Sequence, residues 1–262
     1  MDLTQSSERR GGASLIHSLS LALMLLLMPF WTATESRGDS KEAQKIDCLT
    51  CHEDLLKNLP VVHEAVKLGC ETCHSAIDAG EIPHKKTNNS PKGLAEEQPD
   101  LCYGCHDKTK FMNRKSIHLA IGMGCTECHN PHASKNPKLL ISQVPDACFK
   151  CHARGAFSKK NTHPPSAKGK CLTCHDPHAS DNISLLIKEP AKLCLDCHAS
   201  AAKKKHTSAG HLVEKADTQD PKRPMKPFYC GSCHNPHTSD SRKLFRYKAD
   251  SETELCAYCH DF

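Results

Sequence analysis

CTECHNPHASKNPKLLISQVPDACFKCH, residues 125–152, carries a Cys-x-x-Cys-His quintet at each end, a Pro-His pair just after the first, and the apolar pair Leu139-Leu140 between them. The pattern returns as CLTCHDPHASDNISLLIKEPAKLCLDCH, residues 171–198, and as CGSCHNPHTSDSRKLFRYKADSETELCAYCH, residues 230–260. All three share CxxCHxPHxS, a short apolar pair and a second quintet 23, 23 and 26 residues after the first. A weaker copy covers residues 70–106, with Ile82-Pro83-His84 in place of the close Pro-His and 32 residues between quintets. One further quintet, at Cys48, stands alone ahead of them. Self-similarity of this kind marks a repeat architecture.

The chain has 18 cysteines, and nine quintets use every one. They are Cys48 and Cys51 with His52, Cys70 and Cys73 with His74, Cys102 and Cys105 with His106, Cys125 and Cys128 with His129, and Cys148 and Cys151 with His152. The remainder are Cys171 and Cys174 with His175, Cys194 and Cys197 with His198, Cys230 and Cys233 with His234, and Cys256 and Cys259 with His260. This is the attachment signature of c-type haem. Two thiols add to the vinyl groups on one porphyrin edge while the next side chain ligates the iron, and positions i, i+3 and i+4 of a helical turn share the necessary face.

Other uses of the motif fit less well. Structural zinc pairs two knuckles into four ligands, whereas nine is odd and zinc gives no reason for a His after every second Cys. A thioredoxin-like motif occurs once, inside a βαβ pattern that is absent here. A disulfide scaffold would not fix the histidines.

The beginning of the chain points to export. Arg9 and Arg10, an apolar run over residues 19–31 and a small, polar stretch after it read as a signal peptide over residues 1–36. An uncleaved anchor is the competing reading, but even residues 15–31 fall short of the roughly 20 apolar residues of a membrane span. No later segment is apolar enough to cross, so no transmembrane segment is expected in the mature chain.

About 226 residues then remain for nine haems, roughly 25 each. With aromatics at 5%, that is too little chain to bury nine macrocycles behind ordinary layers, so the haems must form much of the core, and folding should depend on them. The expected fold is therefore short α-helices and irregular loops packed around covalent haem, with little or no β-sheet. The expected organisation is a leading single-haem segment, residues 37–62, followed by four two-haem modules near residues 63–106, 118–152, 163–198 and 206–260. The prolines after the binding turns, Pro131, Pro177 and Pro236, should end those helices. The apolar pairs Leu139-Leu140, Leu185-Leu186 and Leu244-Phe245 are expected to cover a haem face or to form a small strand.

The formal charge of +5 covers the polypeptide alone; propionates from nine ferrous haems would add about eighteen negative charges, making the loaded protein acidic. Lys203, Lys204, Lys205, Lys222, Arg223 and Lys226 are expected as solvated surface, with propionate pairing or docking of an acidic partner as the sharper alternative. Basic residues and aromatics are not interleaved, so nucleic acid is not indicated.

The other histidines supply candidate sixth ligands. Apart from His17 in the leader there are nine: His63, His84, His118, His132, His163, His178, His206, His211 and His237. His63 and His118 lie seven residues before a quintet, His163 eight, and His132, His178 and His237 occupy the xPH site of the repeat. His132 follows His129 by three residues, a reach of at most about 10 to 11 Å, too short to pass around a porphyrin. These histidines are therefore expected to ligate a neighbouring haem. His206 and His211 both precede Cys230, and one of them is a candidate for the solitary Cys48 haem, the alternative being that it is free. Met112, Met123 and Met225 do not recur in the repeat.

The chain resembles multihaem cytochromes c with doubled CXXCH motifs, over nearly all of the expected mature chain. The resemblance implies bis-His haem c groups, low-spin iron at lower potential than Met/His ligation gives, and electron transfer in the periplasm or at the outer membrane. It also implies redox-protein partners, other cytochromes or an outer-membrane porin-cytochrome complex among them. The alternatives are a multihaem oxidoreductase acting on a small nitrogen or sulfur oxyanion at one open haem, and a subunit of an extracellular haem filament. No quintet carries Lys in place of His, and nine candidate ligands for nine irons leave no obvious vacancy, so a conductor without catalytic residues is the expectation.

Overall fold

Among the described residues, Gly, Pro, Asn and Asp interrupt the sequence every few residues, and no described stretch between them is long enough to propagate a helix. The chain divides into residues 1–44 and a unit of residues 45–262; the computed structural model describes residues 46–203, 211 and 218–262. The expected leader and His206 lie outside the described residues. Pro190–Leu195, six residues long, is the longest described helix; the others are single turns such as Asp100–Tyr103 and Asp146–Phe149. No described helix is long and apolar enough to cross a membrane.

Each quintet is one such turn. The amide of the histidine donates to the carbonyl of the first cysteine at 2.9–3.0 Å in all nine, from His52 on Cys48 to His260 on Cys256. That i to i+4 closure puts both thiols and the imidazole on one side of the turn. The turns Cys125–Glu127, Cys171–Thr173 and Cys230–Cys233 end ahead of Pro131, Pro177 and Pro236, as expected.

The strands are pairs of residues. β1 (Val61–Val62), β4 (Ser116–Ile117) and β6 (Asn161–Thr162) lie just before His63, His118 and His163. β5 (Ala133–Ser134), β7 (Ala179–Ser180) and β8 (Thr238–Ser239) lie just after His132, His178 and His237. They pair antiparallel as β1 with β5, β4 with β7 and β6 with β8, so each module is stitched to the next one along the chain. In the first module β2 (Ile77–Asp78) pairs locally with β3 (Lys85–Lys86) instead, just after His84.

The serine of CxxCHxPHxS closes each repeat. Ser134 Oγ donates to the Leu140 carbonyl and Ser239 Oγ to the Phe245 carbonyl, both at 2.5 Å, and Ser180 makes the same bond to Leu186. All three serines are buried. The bond folds the apolar pair back on the quintet, where His129, His175 and His234 form isolated β-bridges to Leu140, Leu186 and Phe245. The pair thus both lines the interior and makes a minimal strand.

Among the described residues the buried apolar side chains are five alanines, Pro190 and Phe245. In place of a packed centre there is a continuous cavity of about 4000 Å³, several times the roughly 300–1,000 Å³ of an ordinary ligand pocket. Its wall includes all nine quintet histidines and the apolar Leu49, Leu55, Ile82, Leu140, Leu186 and Phe245.

Candidate haem centres

An imidazole nitrogen binds a first-row metal at about 2.0–2.1 Å, so two imidazoles on opposite sides of one ion hold their ring centroids about 6 Å apart. Among the described residues, eight such pairs join a quintet histidine to a second imidazole. His106 stacks on His63 at 6.1 Å, His152 on His118 at 6.1 Å and His198 on His163 at 6.0 Å. His74 stacks on His132 at 6.0 Å and His129 on His178 at 5.9 Å, and His175 meets His237 at 5.7 Å. His52 meets His84 at 6.1 Å, and His260 stacks on His211 at 5.7 Å.

These pairs follow one rule. The histidine leading a module faces the second quintet of that module, while the Pro-His histidine faces the first quintet of the unit before it. His132, expected to serve a neighbouring haem, has its ring against His74 of the preceding unit. The solitary His52 faces His84, neither of the two histidines named as its candidates; His84 lies in the next unit, where the rule places its partner.

The second ring nitrogen of one member of most pairs is tied to the backbone. His63 Nδ1 and His118 Nδ1 lie 2.9 Å from the carbonyls of Pro131 and Pro177, and His163 bonds the Pro236 carbonyl in the same way. On the quintet side, His74, His129, His175 and His234 place Nδ1 at 2.8–3.0 Å from the carbonyls of Lys92, Lys138, Ser184 and Lys243. His84 Nδ1 lies 2.7 Å from the Glu81 carbonyl. A carbonyl can only accept, so Nδ1 carries the proton and Nε2 is left as the metal-binding atom. The four carbonyls on the quintet side come from residues with φ of 52–58°, the left-handed region that costs a non-glycine residue about 1–3 kcal/mol. In three repeats the next residue, Leu139, Leu185 or Leu244, is left-handed as well, which turns the carbonyl inward.

Electrostatics favour neutral ligands. Burial pushes the imidazoles of His132, His163, His178 and His237 below the usual histidine range, and metal binding requires the neutral form. At His178 the Asp176 carboxylate works against burial.

The thiols line up from one quintet to the next. Cys48 lies beside Cys70, Cys102 beside Cys125, Cys148 beside Cys171 and Cys194 beside Cys230, close enough for their thiols to interact. As free thiols, Cys102 and Cys194 are pushed up by those neighbours and by burial. Within modules, Cys73 lies near Cys102, Cys128 near Cys151, Cys174 near Cys197, and Cys233 near Cys256 and Cys259. The nine attachment sites therefore follow one another in chain order without a gap.

No group of three or more His, Cys, Asp or Glu side chains converges to hold a metal among the described residues. Zinc would need such a group, whereas a porphyrin supplies four equatorial nitrogens and leaves two axial positions. Paired imidazoles, adjacent thiols and the apolar cavity fit haem c.

The model of the doubled CXXCH motif matches residues 63–111, 118–157, 163–203 and 223–262. The chain belongs to the doubled CXXCH motif family. It is a multihaem c-type cytochrome with covalently bound haem, of a family associated with electron transfer. No curated protein matches the chain.

Reading the sequence alone missed three kinds of residue in these centres. The carbonyl tethers depend on backbone conformation and carry no side-chain signal. The closing serines 134, 180 and 239 were visible as part of the repeat but had no assigned role. Arg223 is turned inward, bound through Nε to Asp220 at 2.7 Å, and is not the solvated lysine-like charge expected.

Proposed function

We propose that this chain carries nine haem c groups with bis-His axial ligands and passes electrons along them between redox partners outside the cytoplasm. Bound haem supplies one-electron chemistry; the chain sets spacing, axial ligands and exposure. His52, His74, His106, His129, His152, His175, His198, His234 and His260 are the proximal ligands. His84, His132, His63, His178, His118, His237, His163 and His211 are the distal ligands of the pairs described above. A one-to-one match of nine with nine assigns His206 to the haem of His234.

The observation that carries this reading is the set of imidazole pairs with room for one ion between them. With a ligand on each side, an iron offers no position for substrate, and the contiguous thiols support haem edges close enough for transfer from Cys48 to Cys256. The two ends of that series are the natural points of entry and exit. The basic, apolar beginning of the sequence supports export to the periplasm, with cleavage near residue 36, and an outer-membrane cytochrome complex suits a redox partner there.

The test is haem stoichiometry by pyridine haemochrome with a redox titration followed by visible and electron paramagnetic resonance spectroscopy. Nine low-spin haems per chain, all at negative potential, are expected. A high-spin ferric signal, or binding of carbon monoxide or nitrite by the native protein, would sink the conductor reading and favour a reductase.

A further inference from the structure

The three close Pro-His turns differ at the residue before proline: Asn130, Asp176 and Asn235. All three side chains build the same turn. Asn130 Oδ1 accepts from the His132 amide at 2.9 Å, Asp176 Oδ1 from His178 at 2.8 Å, and Asn235 Oδ1 from His237 at 3.1 Å. A neutral amide folds the turn twice over, so folding does not require the charge at residue 176.

The carboxylate does something the amides cannot. Asp176 Oδ1 lies 3.9 Å from His178 Nδ1, and His178 is the ring stacked on His129. At His63 and His118 the outer nitrogen faces a backbone carbonyl; at His178 it faces a carboxylate. Negative charge at the outer nitrogen of an axial imidazole polarises its N–H, raises donation from Nε2 to the iron and favours the ferric state.

We infer that Asp176 lowers the reduction potential of the haem attached to Cys125 and Cys128 relative to the haems at Cys70 and Cys171, whose distal turns carry Asn130 and Asn235. This rests on the bis-His reading above. Three sites of one backbone design then differ in driving force through a single side chain, and the fourth haem of the series becomes a step that an electron must climb.

The experiment is a potentiometric titration of full-length holoprotein, native and Asp176→Asn, read by visible and paramagnetic resonance spectra. One midpoint should rise while the other eight hold. At the native midpoint, the reduced-to-oxidised ratio of that haem should increase about three- to tenfold, tenfold being 59 mV for one electron. Asn130→Asp is the converse variant and should lower one different midpoint. No shift as large as threefold in either variant, or an even shift across all nine haems, would overturn the inference while leaving the axial ligands intact. High-spin iron in the native protein would overturn the bis-His reading and this inference together.

Discussion

At the scale of one residue, the structure separates a histidine's two tasks. Nδ1 is held by a carbonyl, most often that of a proline or of a left-handed residue, which leaves Nε2 as the nitrogen able to bind iron. The ring of His132 lies against that of His74, so the proposed bis-His pairing gives it to the iron of His74 and not to that of its neighbour His129. His132→Gly should therefore leave one haem five-coordinate and high-spin, binding one carbon monoxide per chain. The signal should persist when Cys125 and Cys128 are also replaced by Ala, because the affected iron sits on the Cys70 motif. If removing the Cys125 haem abolishes it, the assignment is wrong.

At the scale of elements, the Asp220 loop shows what the last module does differently. Asp220, buried to 3% exposure, is driven up by burial, but hydrogen bonds from Ser232, Arg223 and the Lys222 amide outweigh that and hold its carboxyl below the usual range. Arg223 also reaches Ser232 Oγ at 3.2 Å and lies over the Tyr229 ring, so the loop clasps the turn that carries Cys230. A depressed carboxylate stabilises fully above its unfolded value of about 4, and that stability is lost as pH falls through the lower folded value. Thermal melts at neutral pH should show Asp220→Ala destabilised by about 3–5 kcal/mol, the cost of stranding one member of a buried pair. The difference from native protein should shrink below pH about 4. Equal stability of variant and native protein at pH 7 would contradict the clasp. None of this was legible in the sequence, where Asp220-Pro221-Lys222-Arg223-Pro224 reads as a polar insert. The nine quintets, the four repeats and the short-helix fold were legible, because haem attachment fixes residue type and spacing together. The pairings were only half legible: the reach from His129 to His132 ruled out one partner, but naming the right one required β1 to pair with β5 and β4 with β7, and two-residue strands leave no alternation to read.

At the scale of the whole molecule, the interior is a cofactor cavity walled by histidines and apolar side chains, and the fully buried side chains among the described residues are almost all small. Apolar burial on that scale falls far short of the backbone entropy of some 200 ordered residues, about 1–2 kcal/mol each. Expressed without haem attachment, the chain should give a far-ultraviolet circular dichroism spectrum of disordered polypeptide and digest rapidly, whereas holoprotein should resist; a folded apoprotein would refute the haem-as-core account. The stitching of β1 to β5, β4 to β7 and β6 to β8 also imposes an order in time. As the chain emerges amino end first, the proposed pairing gives the first haem of each of the first three modules its proximal ligand before the segment bearing its distal ligand exists, so completion there trails synthesis by one module. A chain stopped after residue 111 or 157 would carry one unfinished iron at the break and a strand edge waiting for its mate, and counting carbon monoxide bound per fragment would reveal how far assembly had advanced.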